Sequence, residues 1–146
     1  MNISKSFMYH ALALCLLLGL ACQKGDSPEL AGPKKNYFQK NWTVIGYHMT
    51  ELGSAGSIVS SNDIAVQPYS YFYFMDDKVF CVAPLLTGQG TVKYEEGTIK
   101  MTLTNMGSIT FNYTTSDQDQ VVLTYEEPYP GQNTLVHRIT LSRTAF

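Results

Sequence analysis

Few side chains in this 146-residue chain could do chemistry, and their spacing limits what they can do. The histidines are His10, His48 and His137, and no two stand at the His-x-x-x-His spacing that holds a metal on one helical face. His137 alternates with Leu135 and Ile139 and so shares their apolar face; a hydrogen-bonded core imidazole is the expected role, with a metal ligand or general base the rarer one. The acidic pairs Asp76/Asp77, Glu95/Glu96, Asp117/Asp119 and Glu126/Glu127 fall at turns or strand ends. Adjacent carboxylates on a strand point to opposite faces, the wrong geometry for sharing a proton. Asp117-Gln118-Asp119 supplies too few oxygens for a calcium loop. Cys81 sits in the apolar run Val79-Phe80-Cys81-Val82-Ala83, with no base or cation beside it to make a reactive thiolate, and reads as an inert core cysteine. With no nucleophile elbow or phosphate loop either, the expectation is a protein that is not an enzyme and has no catalytic residue, metal or cofactor.

The N-terminus carries one cation, Lys5, followed by a run from Phe7 to Leu20 that is apolar apart from Tyr9, His10 and Gly19. That run is shorter than the roughly 20 apolar residues of a spanning helix, and it reads as a secretory signal. It ends Leu18-Gly19-Leu20-Ala21-Cys22, a small residue directly before a cysteine. This resembles the lipobox of bacterial lipoproteins, although Gly19 stands where the usual leucine would be. The resemblance implies that residues 1–21 are removed and that Cys22 is acylated. The partner is then a lipid bilayer, reached through acyl chains such as palmitate. Gln23 in place of Asp after the cysteine resembles lipoproteins sent to the outer membrane. Cys15, behind the bulky Leu14, leaves with the signal. Cys81 is then the one free thiol, so no internal disulfide forms.

Removing the signal leaves 9 basic against 12 acidic side chains. No basic stripe supports nucleic-acid binding, and no polybasic cluster would hold the body on anionic lipid. Residues 22–36 are rich in Gly, Pro and charge and read as a flexible tether. At about 5–6 Å × √n, it sets the domain on the order of 20 Å from its anchor.

From residue 37 to 146 the pattern is all-β. Eight strands are expected, at about 40–49, 69–75, 79–83, 90–95, 98–104, 108–114, 121–126 and 134–142. Ile99, Met101 and Leu103 share one face against Thr98, Lys100 and Thr102, the signature of a strand buried on one side. Short polar connectors predict antiparallel hairpins, and Tyr129-Pro130-Gly131-Gln132 is a strong turn signal. Residues 50–68 break this rhythm as a long, small-residue loop, expected to pack across one barrel end or to cover a cavity mouth.

Eight sequential antiparallel strands with no covering helix predict an up-and-down barrel, which removes both edges. The layout of residues 37–144 resembles the lipocalin-like domains of Gram-negative lipoproteins, with Trp42 early in the first strand, a long first loop and a last strand ending Ser142-Arg143. The resemblance implies a barrel-closing pair of Trp42 and Arg143, with Arg138 as the alternative. It also implies a small apolar or amphipathic ligand. The inward set is Phe72, Phe74, Tyr94, Met101, Phe111, Tyr113, Tyr125 and His137. These bulky groups predict a shallow pocket at a barrel end rather than a deep calyx. An envelope scaffold with a filled barrel is the competing expectation. It draws on Tyr69, Tyr71 and Tyr73, which share one face and would either dock a partner or form stabilising cross-strand pairs.

Overall fold

The computed structural model describes residues 35–116 and 119–143. The signal, Cys22 and the tether as far as residue 34 lie outside the described residues, as does Asp117. The last two tether positions, Lys35 and Asn36, instead open a single helical turn, α1 (Lys35–Phe38).

Alternation builds the sheet. The strands are β1 (Asn41–Leu52), β2 (Ile58–Asp63), β3 (Tyr71–Phe74), β4 (Lys78–Ala83), β5 (Leu86–Glu95), β6 (Thr98–Leu103), β7 (Gly107–Thr115), β8 (Gln120–Tyr129) and β9 (Asn133–Arg143). In β6 the residues Ile99, Met101 and Leu103 are buried while Lys100 and Thr102 are exposed, and β3 alternates in the same way. From β3 to β9 each strand pairs antiparallel with the next, and β9 returns to β1 over Trp42↔Arg143 to Leu52↔Thr134. The result is a closed eight-stranded antiparallel barrel with one extra strand, consistent with the lipocalin-like architecture.

The extra strand corrects the expected loop at 50–68. β1 runs on to Leu52, Gly53 N–H donates to the Ser57 carbonyl at 2.8 Å, and β2 folds back along β1 from Leu52↔Ile58 to His48↔Asp63. β2 and β3 lie on the same edge of β1, one beyond the other. Ile64 N–H still reaches the Tyr47 carbonyl (2.8 Å), and the Ser70 carbonyl accepts from Val44 N–H (2.9 Å). Only residues 65–69 leave the ladder. They do so through a turn in which Ser70 donates to the Gln67 carbonyl from both its backbone N–H (3.2 Å) and its Oγ (2.8 Å). Within that turn Tyr69 has φ 68° and is 91% exposed. Gly or Asn is the usual occupant of such a position, and a bulky residue there costs on the order of 1 kcal/mol.

One barrel end is sealed. Phe38, fully buried, packs against Phe74 (5.7 Å), Tyr94 (5.8 Å) and Tyr113 (5.1 Å), and its carbonyl accepts the Trp42 indole N–H at 3.1 Å. The Arg143 guanidinium lies 5.3 Å from the Trp42 ring and 5.2 Å from that of Tyr37, within cation–π range of both. Arg138 is on the outer wall, opposite His48.

Candidate ligand-binding site

The residues expected to line a pocket separate into three groups. Phe72, Phe74, Met101 and Phe111 are at most 1% exposed and fill the barrel's centre. They are core, which corrects their expected role as pocket walls: side chains of this size fill an eight-stranded interior. Tyr94 and Tyr113 belong to the sealed end against Phe38, another correction. The Tyr94 hydroxyl donates to the Met75 carbonyl at 3.0 Å, and burial, with Asp76 nearby, pushes its pKa up to about 12. Tyr125 and His137 alone lie toward the opposite end.

There the barrel wall opens. β7 and β8 pair only over Asn112↔Thr124 to Thr115↔Val121. The first half of β7 and the second half of β8 diverge around a cleft of about 360 Å³, whose lining includes Met106, Ile109, Tyr125, Glu126 and Glu127. Pro128 sits in this part of β8, paired with Thr134 of β9 on its other side. Proline is tolerated in a strand whose outer edge is unpaired, and with two carboxylates beside it this edge resists addition of a further strand.

Tyr125 leads from the cleft to a buried polar cluster. Its ring stacks on His137 at 4.2 Å with 5° between planes, and Phe111 meets its edge at 5.1 Å. His137, 1% exposed, bonds through Nε2 to Glu127 Oε1 (3.1 Å) and through Nδ1 to the Tyr47 hydroxyl (3.0 Å), which lies 3.4 Å from the Tyr125 hydroxyl. With Nε2–H directed at Glu127, Nδ1 accepts from Tyr47, so the imidazole is satisfied on both sides as a neutral ring. Burial, the neighbouring Tyr125 hydroxyl and the Glu127 charge all raise the Tyr47 pKa. Burial also raises that of Tyr125. Beyond this cluster on β1, Glu51 accepts from Asn133 Nδ2 (2.5 Å) and Ser60 Oγ (3.2 Å). Cys81 is buried, which pushes its thiol up to about 11, away from reactivity.

No protein-family model, no curated protein and no solved structure matches the chain. The chemistry of the cleft follows from its own side chains: a short apolar strip of Met106, Ile109 and Tyr125 set among the hydroxyls of Ser108 and Thr110 and the carboxylates of Glu126 and Glu127, so that the lining is more polar than apolar. Tyr47 and Glu127, absent from the inward set read in the sequence, are brought to His137 by strand register. A second histidine cluster lies on the outside of the β1–β2 hairpin, where His48 bonds through Nδ1 to Asp63 (2.7 Å) and through Nε2 to Ser61 Oγ (2.8 Å). Its connectivity is that of a nucleophile–base–acid relay. All three are cross-strand neighbours on an open face, however, and Asp63 is 92% exposed, so water competes for each bond.

Burial lowers the His137 pKa below 6.5, with Glu127 opposing the shift. The unfolded chain then binds a proton more readily than the folded one. Stability contributed by the neutral ring is complete well above pH 6.5 and is lost as pH falls from there toward the lowered folded value. Urea-unfolding midpoints are expected to fall across that window in the wild type and to fall less in His137→Phe; an equal fall in both would count against a buried neutral imidazole.

Proposed function

We propose that this is a lipid-anchored, lipocalin-like binding protein of the cell envelope, held through acylated Cys22, that takes one small apolar or amphipathic molecule in the β7–β8 cleft. The observation that carries the reading is the parting of these two strands over Tyr125 in a barrel otherwise filled with side chains. The apolar strip suits a short hydrocarbon or ring, and Glu126 and Glu127 favour a neutral or cationic head group over a carboxylate. The proposed site lies in the barrel wall, not beneath a lid. The filled core supports a second reading, an envelope scaffold that uses its outer wall.

Titration with a small apolar fluorophore whose emission rises on leaving water separates the two. Ile109→Asp in the cleft is expected to weaken binding at least tenfold, and Phe80→Asp on the outer wall to leave it unchanged. The reverse pattern would favour the scaffold. Anchoring is tested by metabolic labelling with an alkyne fatty acid, where Cys22→Ala is expected to abolish the signal and equal labelling of both proteins would refute acylation at Cys22.

A further inference from the structure

The outer wall formed by β1, β3 and β4 carries an aromatic face that neither the barrel's closure nor the cleft uses. Tyr71 pairs across to Val82 and Tyr73 to Phe80, and along this wall Tyr69, Tyr71, Tyr73, Met75 and Val82 are 37–91% exposed. Among the described residues lining the groove along this face none is charged. Tyr69 stands out most fully, at a backbone position where a tyrosine is disfavoured. A conformationally costly residue that holds its ring in solvent points to a use for that ring.

We infer that this face rests on the lipid bilayer surface, with Tyr69, Tyr71 and Tyr73 seated at the headgroup level. The inference rests on the proposed anchoring through Cys22. Three observations select the bilayer as occupant. Tyrosine, an apolar ring with a polar tip, is the side chain suited to a membrane interface. The groove lining carries no charge and so calls for no ionic partner, while Lys78, outward on β4 beside it, suits a phosphate headgroup. The chain also enters β1 beside this face, a few residues after its first described residue, Lys35: the Lys40 carbonyl accepts from Phe74 N–H, and Asn41 pairs with Tyr73. A tether reaching about 20 Å from an acylated Cys22 would hold this wall within range of the membrane.

The test uses the chain isolated from its own cells after 3-fluorotyrosine incorporation and placed in zwitterionic phosphatidylcholine nanodiscs bearing gadolinium-chelate headgroups. Fluorine signals are assigned with single Tyr→Phe variants, and an intact mass is measured first. The signals of Tyr69, Tyr71 and Tyr73 are expected to relax at least threefold faster than that of Tyr129 at the opposite barrel end. Equal relaxation in a chain whose mass shows acylation overturns the docking and leaves the anchor standing. A mass without acyl chains refutes the anchor by itself; the docking is then judged by the same comparison with vesicles in excess, and equal relaxation there overturns it as well. A dimer in lipid-free detergent that Tyr71→Ser with Tyr73→Ser dissociates would make a second copy the occupant and would also overturn it.

Discussion

Phe38→Ala is expected to destabilise the domain by about 3–5 kcal/mol, the range for removing a large ring from a core that cannot collapse around the gap. Phe38 is fully buried and meets five aromatic rings, those of Tyr37, Trp42, Phe74, Tyr94 and Tyr113. It comes from a helical turn outside the barrel, so no neighbouring strand residue can swing in to replace it. Chemical denaturation with the midpoint followed by Trp42 fluorescence measures the loss. The emission of the folded variant should also shift to longer wavelength, because water then reaches the Trp42 side of the plug. A change below about 1 kcal/mol would mean that the ring is not the plug described.

Gly90→Ala is expected to cost about 3 kcal/mol or more, for a reason confined to the backbone. Gly90 of β5 pairs with Leu103 of β6. A Cβ there would overlap the Thr102 carbonyl oxygen and stand 2.8 Å from its carbon and 2.9 Å from Leu103 Cα. Both obstacles are main chain, so neither can rotate away, and β5 would have to lift off β6. Glycine inside a strand often marks such a close approach, and overpacking against fixed atoms falls at or beyond the upper end of the usual 1–3 kcal/mol. Thermal unfolding beside Gly97→Ala, at a turn where a Cβ meets nothing within 4 Å but φ is +72°, separates the steric effect from a simple loss of glycine. The Gly90 variant should be the less stable of the two.

Much of the barrel was legible because one-sided burial prints a two-residue period. β6, β7 and β9 alternate against a core, and the Pro130-Gly131 turn joins β8 to β9, with Gly131 and Gln132 at positive φ. β2 was not legible, since it extends past the barrel and is exposed along nearly all its length. Without a core to face, Ile58 to Asp63 show no alternation and read as loop. The sealed end was half legible. The Trp42–Arg143 pairing was implied by the lipocalin-like layout, whereas Phe38 precedes the first strand and carries no periodic signal.

The site is less legible still. His137 could be placed inward from its neighbours, but its partners Tyr47 and Glu127 stand 90 and 10 residues away and meet it only through the register of β1, β9 and β8. Glu126/Glu127 read as solvated acids because they fall at a strand end, and as adjacent carboxylates they face apart. That geometry is in fact what sends Glu127 alone to the imidazole. The cleft had one local signal, Pro128 inside a strand, which marks an unpaired edge but not what lies beside it.

The reading that a small molecule occupies the β7–β8 cleft is tested most directly by native mass spectrometry of the protein extracted from its own envelope in mild detergent, compared with the Ile109→Asp variant, which puts a further carboxylate on the cleft lining. The wild type is expected to carry a bound mass of a few hundred daltons, a size that a cleft of about 360 Å³ admits, and the variant to lack it. No bound mass on the wild type, or the same mass on both, would contradict the assignment.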